Sequence, residues 1–130
     1  MASSYDRRRI GRGGERPSHP YPRTARVNAQ LVEVLGSAVE RVSDEDDRLG
    51  MLTVTAVATD PDLRQATVFF SSLSEEAAAA LGEHRGELQS AIARQVRMKQ
   101  TPRLRFAADP AVAAARRVEE ALQRVHRGEP

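Results

Sequence analysis

Two alternating stretches separated by a turn constrain this chain more than any other feature. Met51 to Thr59 is rich in β-branched residues and alternates in polarity, and Arg64 to Ser71 alternates again with Ala66, Val68 and Phe70 on one face. Between them stands Asp60-Pro61-Asp62-Leu63, where proline presets φ and aspartate can bond the backbone ahead of it. A period of two interrupted by turn chemistry predicts an antiparallel hairpin. Whatever surrounds it must cover one face of that hairpin.

The flanking segments have a helical period. Val27, Leu31, Val34, Leu35, Ala38 and Val42 recur at spacings of three and four, predicting one apolar stripe on a helix from Arg23 to about Val42. The acidic run Ser43-Asp44-Glu45-Asp46-Asp47 opposes the helix dipole and is expected to end it. After the hairpin, Ser72-x-x-Glu75 has the spacing of a capping box and opens a helix that Gly82 and Gly86 interrupt around His84 and Arg85. A further helical stretch buries Leu88, Ala91, Ile92 and Val96. Pro102 forces extension at Thr101, and Arg103-Leu104-Arg105-Phe106 reads as a third strand with Leu104 and Phe106 inward. Asp109-Pro110 is an N-cap followed by proline at the first helical position, and Val112, Ala115, Val118, Leu122 and Val125 line the last helix. The order is α-β-β-α-break-α-β-α. It predicts an α+β two-layer sandwich with a three-stranded sheet and helices on one face.

Charge is segregated along this pattern. Residues 1–30 carry seven Arg against Asp6 and Glu15, a net +5, and residues 31–92 are net −8. Residues 93–109 return to net +4, and 19 of the 20 basic residues are Arg, the side chain suited to bidentate phosphate contacts. Residues 1–22 hold three Gly and three Pro and few large apolar groups, so they are expected to be a disordered basic arm. A cationic arm for a polyanion and a solvated tail without a task fit these residues equally. Residues 23–127 form the expected domain, and residues 128–130 a short disordered tail.

The residues exclude several chemistries. There are no cysteines, hence no disulfides, thiolate metal sites or cysteine nucleophiles; a reducing, cytoplasmic setting fits. No run of ~18 apolar residues is present for a membrane span, and no apolar stretch follows a basic start as in a secretory signal. His19, His84 and His126 have no metal-ligand spacing. Asp44 to Asp47 lack the ligand alternation of a calcium loop and read better as an exposed acidic loop. No nucleophile or phosphate-loop motif appears, so neither an enzyme nor a cofactor is expected. Binding is better supported. Arg94, Arg97 and Lys99 lead directly into Arg103 and Arg105, and five cations along one edge would neutralise phosphates; the plainer account is a solvated charged face.

Several ordered fragments resemble a known family. They are Arg23-x-x-Arg26-Val27, Asp47-Arg48-Leu49-Gly50, Thr53-Val54-Thr55, Asp62-Leu63-x-x-Ala66-x-Val68 and Pro102-x-Leu104-x-Phe106-x-x-Asp109. Together, over residues 23–125, they resemble ribosome-binding factor A. The resemblance implies a type II KH-like domain whose GxxG loop is replaced by an Ala-x-Gly kink, here His84-Arg85-Gly86 with His where Ala is usual. It also implies a non-catalytic, cofactor-free protein that binds 16S rRNA near its 5′-terminal helix and the decoding region, on immature free 30S subunits. Such proteins assist late rRNA processing and growth in the cold. Expected partners are therefore 16S rRNA, the free 30S subunit and neighbouring ribosomal proteins, with no membrane partner and a monomeric chain. The expected RNA-binding residues are Arg23, Arg26, Arg85, Gly86, Arg94, Arg97, Lys99, Arg103 and Arg105, with Arg48 and Arg64 secondary. A general KH-type RNA binder, and a module offering Asp44, Glu45 and Asp46 to a basic ribosomal protein, are the alternatives.

Overall fold

The computed structural model describes residues 22–129, with side chains from Thr24 onward. The expected basic arm lies outside the described residues except for Pro22. The elements are α1 (Pro22–Glu45), a 3-10 turn (Asp47–Leu49), β1 (Val54–Thr59), β2 (Gln65–Phe70), α2 (Glu75–Glu83), α3 (Arg85–Gln95), β3 (Arg103–Ala108) and α4 (Pro110–His126).

The hairpin forms as its alternation requires. β1 and β2 pair antiparallel, with Val57 opposite Val68 and Thr59 opposite Ala66. A bulge falls between Val54 and Ala56. β3 joins β2 in parallel, Ala66 beside Leu104 and Val68 beside Phe106, so the sheet order is β1-β2-β3. A parallel pair needs a crossover, and α2 with α3 supplies it. The core lies between sheet and helices: Leu31, Leu35, Ala38, Val39 and Val42 of α1 and Leu88, Ala91 and Ile92 of α3 meet Val57, Val68, Phe70 and Leu104. Each such large side chain removed from water contributes roughly 1.5–3 kcal/mol. Among the described residues, no helix covers the opposite sheet face.

Four local expectations change. α1 runs to Glu45, not Val42, although no basic residue sits in its last turn; burial of Val42 outweighs an exposed dipole penalty of roughly 0.3–1 kcal/mol. β1 starts at Val54 because Gly50 reverses the chain with φ +58° and Met51 projects into solvent, 97% exposed. The cap of α2 is Ser74, whose Oγ accepts from Ala77 N at 3.0 Å; Ser72 and Glu75 form no box. Gly82 and Gly86 both lie inside helices, and the break is His84 alone.

α4 departs furthest from its pattern. Asp109 caps it, accepting from Ala111 N at 2.9 Å, and also accepts from Thr55 Oγ1 at 2.6 Å, across the sheet. These bonds hold the Asp109 carboxyl below its ordinary range, the Thr55 hydroxyl most. Yet no residue of α4 is buried, and Val118, Leu122 and Val125 are exposed. The stripe is regular, but the body of the domain does not cover it. Gly128 and Glu129, expected to trail off, close the helix end through Gly128 N to Val125 O and Glu129 N to Arg124 O.

Candidate nucleic-acid interface

The start of α1 is pinned to the far end of β1. Asn28 Oδ1 accepts from Thr59 N at 3.1 Å and Thr59 Oγ1 at 2.8 Å. This brings α1 beside the β1–β2 turn, where Leu63 N donates to Asp60 O at 2.8 Å. Leu63 closes the turn with φ +61°, a left-handed conformation costing an L-residue roughly 1–2 kcal/mol. The segment joining α3 to β3 packs against the same corner. A cleft of ≈ 470 Å³ results, its apolar wall made by Val27, Leu63 and Met98 and its rim by Arg64, Arg97 and Lys99. All three cations are exposed. Asp62 also lines the cleft; its Oδ1 accepts from Arg64 N at 3.1 Å, as turn chemistry requires. Arg103 begins β3 next door, donating its N–H to Arg64 O at 2.8 Å. Arg26 is exposed one residue before Val27, while the Arg23 side chain lies outside the described set.

The break between α2 and α3 is built differently. His84 Nδ1 is 3.0 Å from Glu87 Oε1 and Nε2 is 2.9 Å from Asp46 Oδ2. An ionised carboxylate only accepts, so both ring nitrogens donate and the ring is held as imidazolium. Its pKa is raised accordingly, by Glu87 first and Asp46 second. Asp46 in turn takes Arg48 Nη2 at 2.7 Å and Nε at 3.0 Å. Arg48 also reaches Glu83 through both Nη groups. The Arg48 guanidinium, with His84 behind it, holds the Asp46 carboxyl far below the usual range, and Arg48 lowers Glu83 likewise. This network staples the 3-10 turn to the helix break.

Arg85 turns toward the sheet. Its Nε donates to Leu104 O at 3.1 Å, and its guanidinium sits 5.5 Å from the Phe106 ring centroid. One turn along α3, Gln89 Oε1 accepts from Leu104 N at 3.2 Å. Two side chains thus occupy both backbone groups of Leu104 on the edge strand, a common way of blunting a sheet edge. Gly86 is exposed, and a Cβ there would meet nothing within 4 Å.

The predicted cations therefore do not share one edge. Arg97 and Lys99 face the cleft with Arg64, and Arg103 adjoins them. Arg94 lines a second cleft with Arg41, Glu87 and Ser90 between α1 and α3. Arg105 stands opposite Thr67 on the uncovered sheet face. Arg48 and Arg85 are tied into the structure by the bonds above. Two contributors escaped sequence reasoning. Arg41 gave one signal, a cation flanking the α1 stripe beside Val42; Leu63 stood in the Asp62-Leu63-x-x-Ala66 fragment, where nothing marked it for the positive φ at which glycine is usual.

The corner offers charge neutralisation and an apolar wall. Among the described residues no group of three His, Asp or Glu side chains is placed to hold a metal ion, and no helix is long and apolar enough to cross a membrane. Residues 23–122 match the family model of ribosome-binding factor A. Ribosome-binding factor A of Rubrobacter xylanophilus is 41% identical over 107 residues, covering 79% of this chain and 87% of that one. The Halorhodospira halophila protein of the same name is 36% identical over 111 residues, covering 81% and 87%. The crystal structure of ribosome-binding factor A from Thermus thermophilus matches with a TM-score of 0.61 at 36% identity, over 65% of this chain and 93% of that chain. A homology model of the Thermus factor, fitted into a cryo-electron microscopy map of its complex with the 30S subunit, matches at 0.54 and 36% identity, over 64% and 91%. The type II KH-like order of helices and strands, the three-stranded mixed sheet and the matched span agree: this chain belongs to the ribosome-binding factor A family.

Proposed function

We propose that the chain is a non-catalytic, cytoplasmic maturation factor that binds 16S rRNA on immature free 30S subunits and assists late rRNA processing. The observation that carries this reading is the convergence of Arg64, Arg97 and Lys99 on one cleft, with Arg103 beside it. The Thermus relative fitted into a 30S complex supports the same partner. Phosphate neutralisation by such a cluster supplies affinity without sequence specificity, as recognition of folded RNA by shape requires. A general KH-type binder of single strands is disfavoured, because Arg85 and Gln89 already occupy the Leu104 edge. An acidic docking module is weakened likewise, since Asp46 is engaged by Arg48 and His84.

Sucrose-gradient fractionation of lysate tests the proposal. The chain is expected to travel with free small subunits, and the double variant Arg97→Glu, Lys99→Glu to shift largely to the top of the gradient at moderate salt. Charge reversal at Arg94, on the other cleft, is expected to matter less. Unchanged co-sedimentation of the double variant, with loss on neutralising Asp44 and Glu45, would assign binding to the acidic end instead.

A further inference from the structure

Three positions among the described residues have positive φ, and two of them, Gly50 and Gly128, are glycine. The third is Leu63, in a conformation that glycine adopts without steric cost. A strained leucine is ordinarily retained for what its side chain packs against. Leu63, however, is neither in the core cluster nor among the apolar residues packed on it, whereas Val27 and Met98 are. Its side chain walls the cleft rimmed by Arg64, Arg97 and Lys99. Backbone strain held at a ligand-facing wall is a recognised mark of a functional position.

Cations alone would serve a phosphate or a duplex backbone, to which an apolar wall adds nothing. A carboxylate in the same cleft, Asp62, repels an isolated anion but accepts from the N–H groups of a nucleobase. The cleft, ≈ 470 Å³, falls within the usual range for small-molecule pockets, roughly 300–1,000 Å³. We propose that it receives a single unpaired nucleotide of RNA, its base against Leu63, Val27 and Met98 and its flanking phosphates on Arg64, Arg97 and Lys99. The Met98 thioether suits the ring edge. This inference rests on the RNA-binding reading above and specifies its ligand.

The test uses the full chain and two labelled RNA hairpins of equal length, one fully paired and one with a single unpaired nucleotide, in fluorescence anisotropy. The wild type is expected to bind the bulged hairpin about tenfold more tightly, the ratio that 1.4 kcal/mol corresponds to. Leu63→Gly and Leu63→Asn, both tolerant of positive φ, should erase that ratio while leaving affinity for the paired hairpin within about twofold and the thermal midpoint unlowered. Arg97→Ala should weaken both hairpins. Free adenosine 5′-monophosphate in millimolar excess should not displace the bulged hairpin; displacement would assign the cleft to free nucleotides and overturn RNA as the source. Equal binding of the two hairpins by the wild type overturns the proposal. So does a lowered midpoint in both Leu63 variants with equal loss on both RNAs, which would make Leu63 a packing residue. Equal hairpin binding with intact co-sedimentation sinks only the nucleotide cleft, whereas absence from small-subunit fractions sinks the ribosomal reading itself.

Discussion

At His84 the imidazole faces a carboxylate on each side, and its charged form is the one that satisfies both. The raised folded-state pKa gives a definite sign. The contribution is complete below the unfolded value, ~6.5, and is lost as pH climbs through the folded one. Asp46 runs the other way: its depressed pKa makes a contribution present above the ordinary carboxylate range and lost in acid. The urea midpoint difference between the wild type and His84→Gln should therefore be largest near about pH 6 and shrink toward about pH 9. A constant difference across that window would reject the ion-paired histidine. The residue the sequence presents as an oddity at the kink is thus a clamp. The local sequence contains only half of it, Glu87 three residues on, because Asp46 lies 38 positions away.

Among the elements, the helices carry three glycines that packing does not require, Gly36, Gly82 and Gly86. A Cβ at Gly36 of α1 or Gly86 of α3 would meet nothing within 4 Å. Replacing such a glycine by alanine stabilises a helix by roughly 0.4–1 kcal/mol. Gly36→Ala should raise the urea midpoint and leave small-subunit binding unchanged. Gly86→Ala should also raise it, yet weaken binding severalfold if RNA backbone comes close to the kink, as its place in the predicted interface requires. Equal binding by both variants would remove Gly86 from the interface. The strands were legible at this scale from alternation alone, because only one sheet face is covered. Helix ends were less so: Ser74 rather than Ser72 caps α2 because the chain leaves β2 through a longer connection than the box spacing implies.

At the scale of the whole molecule, the described residues are electrically lopsided. Arg64, Arg97, Lys99 and Arg103 gather where α1 begins, while Asp44, Glu45, Asp47 and Glu83 lie toward its C-terminal end. A charge distribution of this kind orients an approaching polyanion and makes association salt-sensitive. α4 takes no part in the core. Ending the chain after Ala113, which keeps the half-buried Val112 and Ala113, should leave the unfolding free energy of the body, from urea titration, within about 0.5 kcal/mol of the full chain, the scale of a surface change. A larger fall would mean that the exposed stripe of Val118, Leu122 and Val125 is covered in solution.

Periodicity and turn chemistry determined the elements, their order and the inward faces of the strands, since each is a local consequence of where apolar side chains fall along one helix or strand. The ordered fragments of the resemblance carried the family. Tertiary structure alone decided that β3 lies parallel to β2, that Arg48 and Arg85 are held within the protein, and that Arg64 rather than Arg94 joins Arg97. It also decided that a leucine, not a glycine, occupies the left-handed position of the hairpin turn. All but the last of those outcomes depend on residues distant in sequence meeting in the folded chain, and neither a period nor a local charge sum contains that distance.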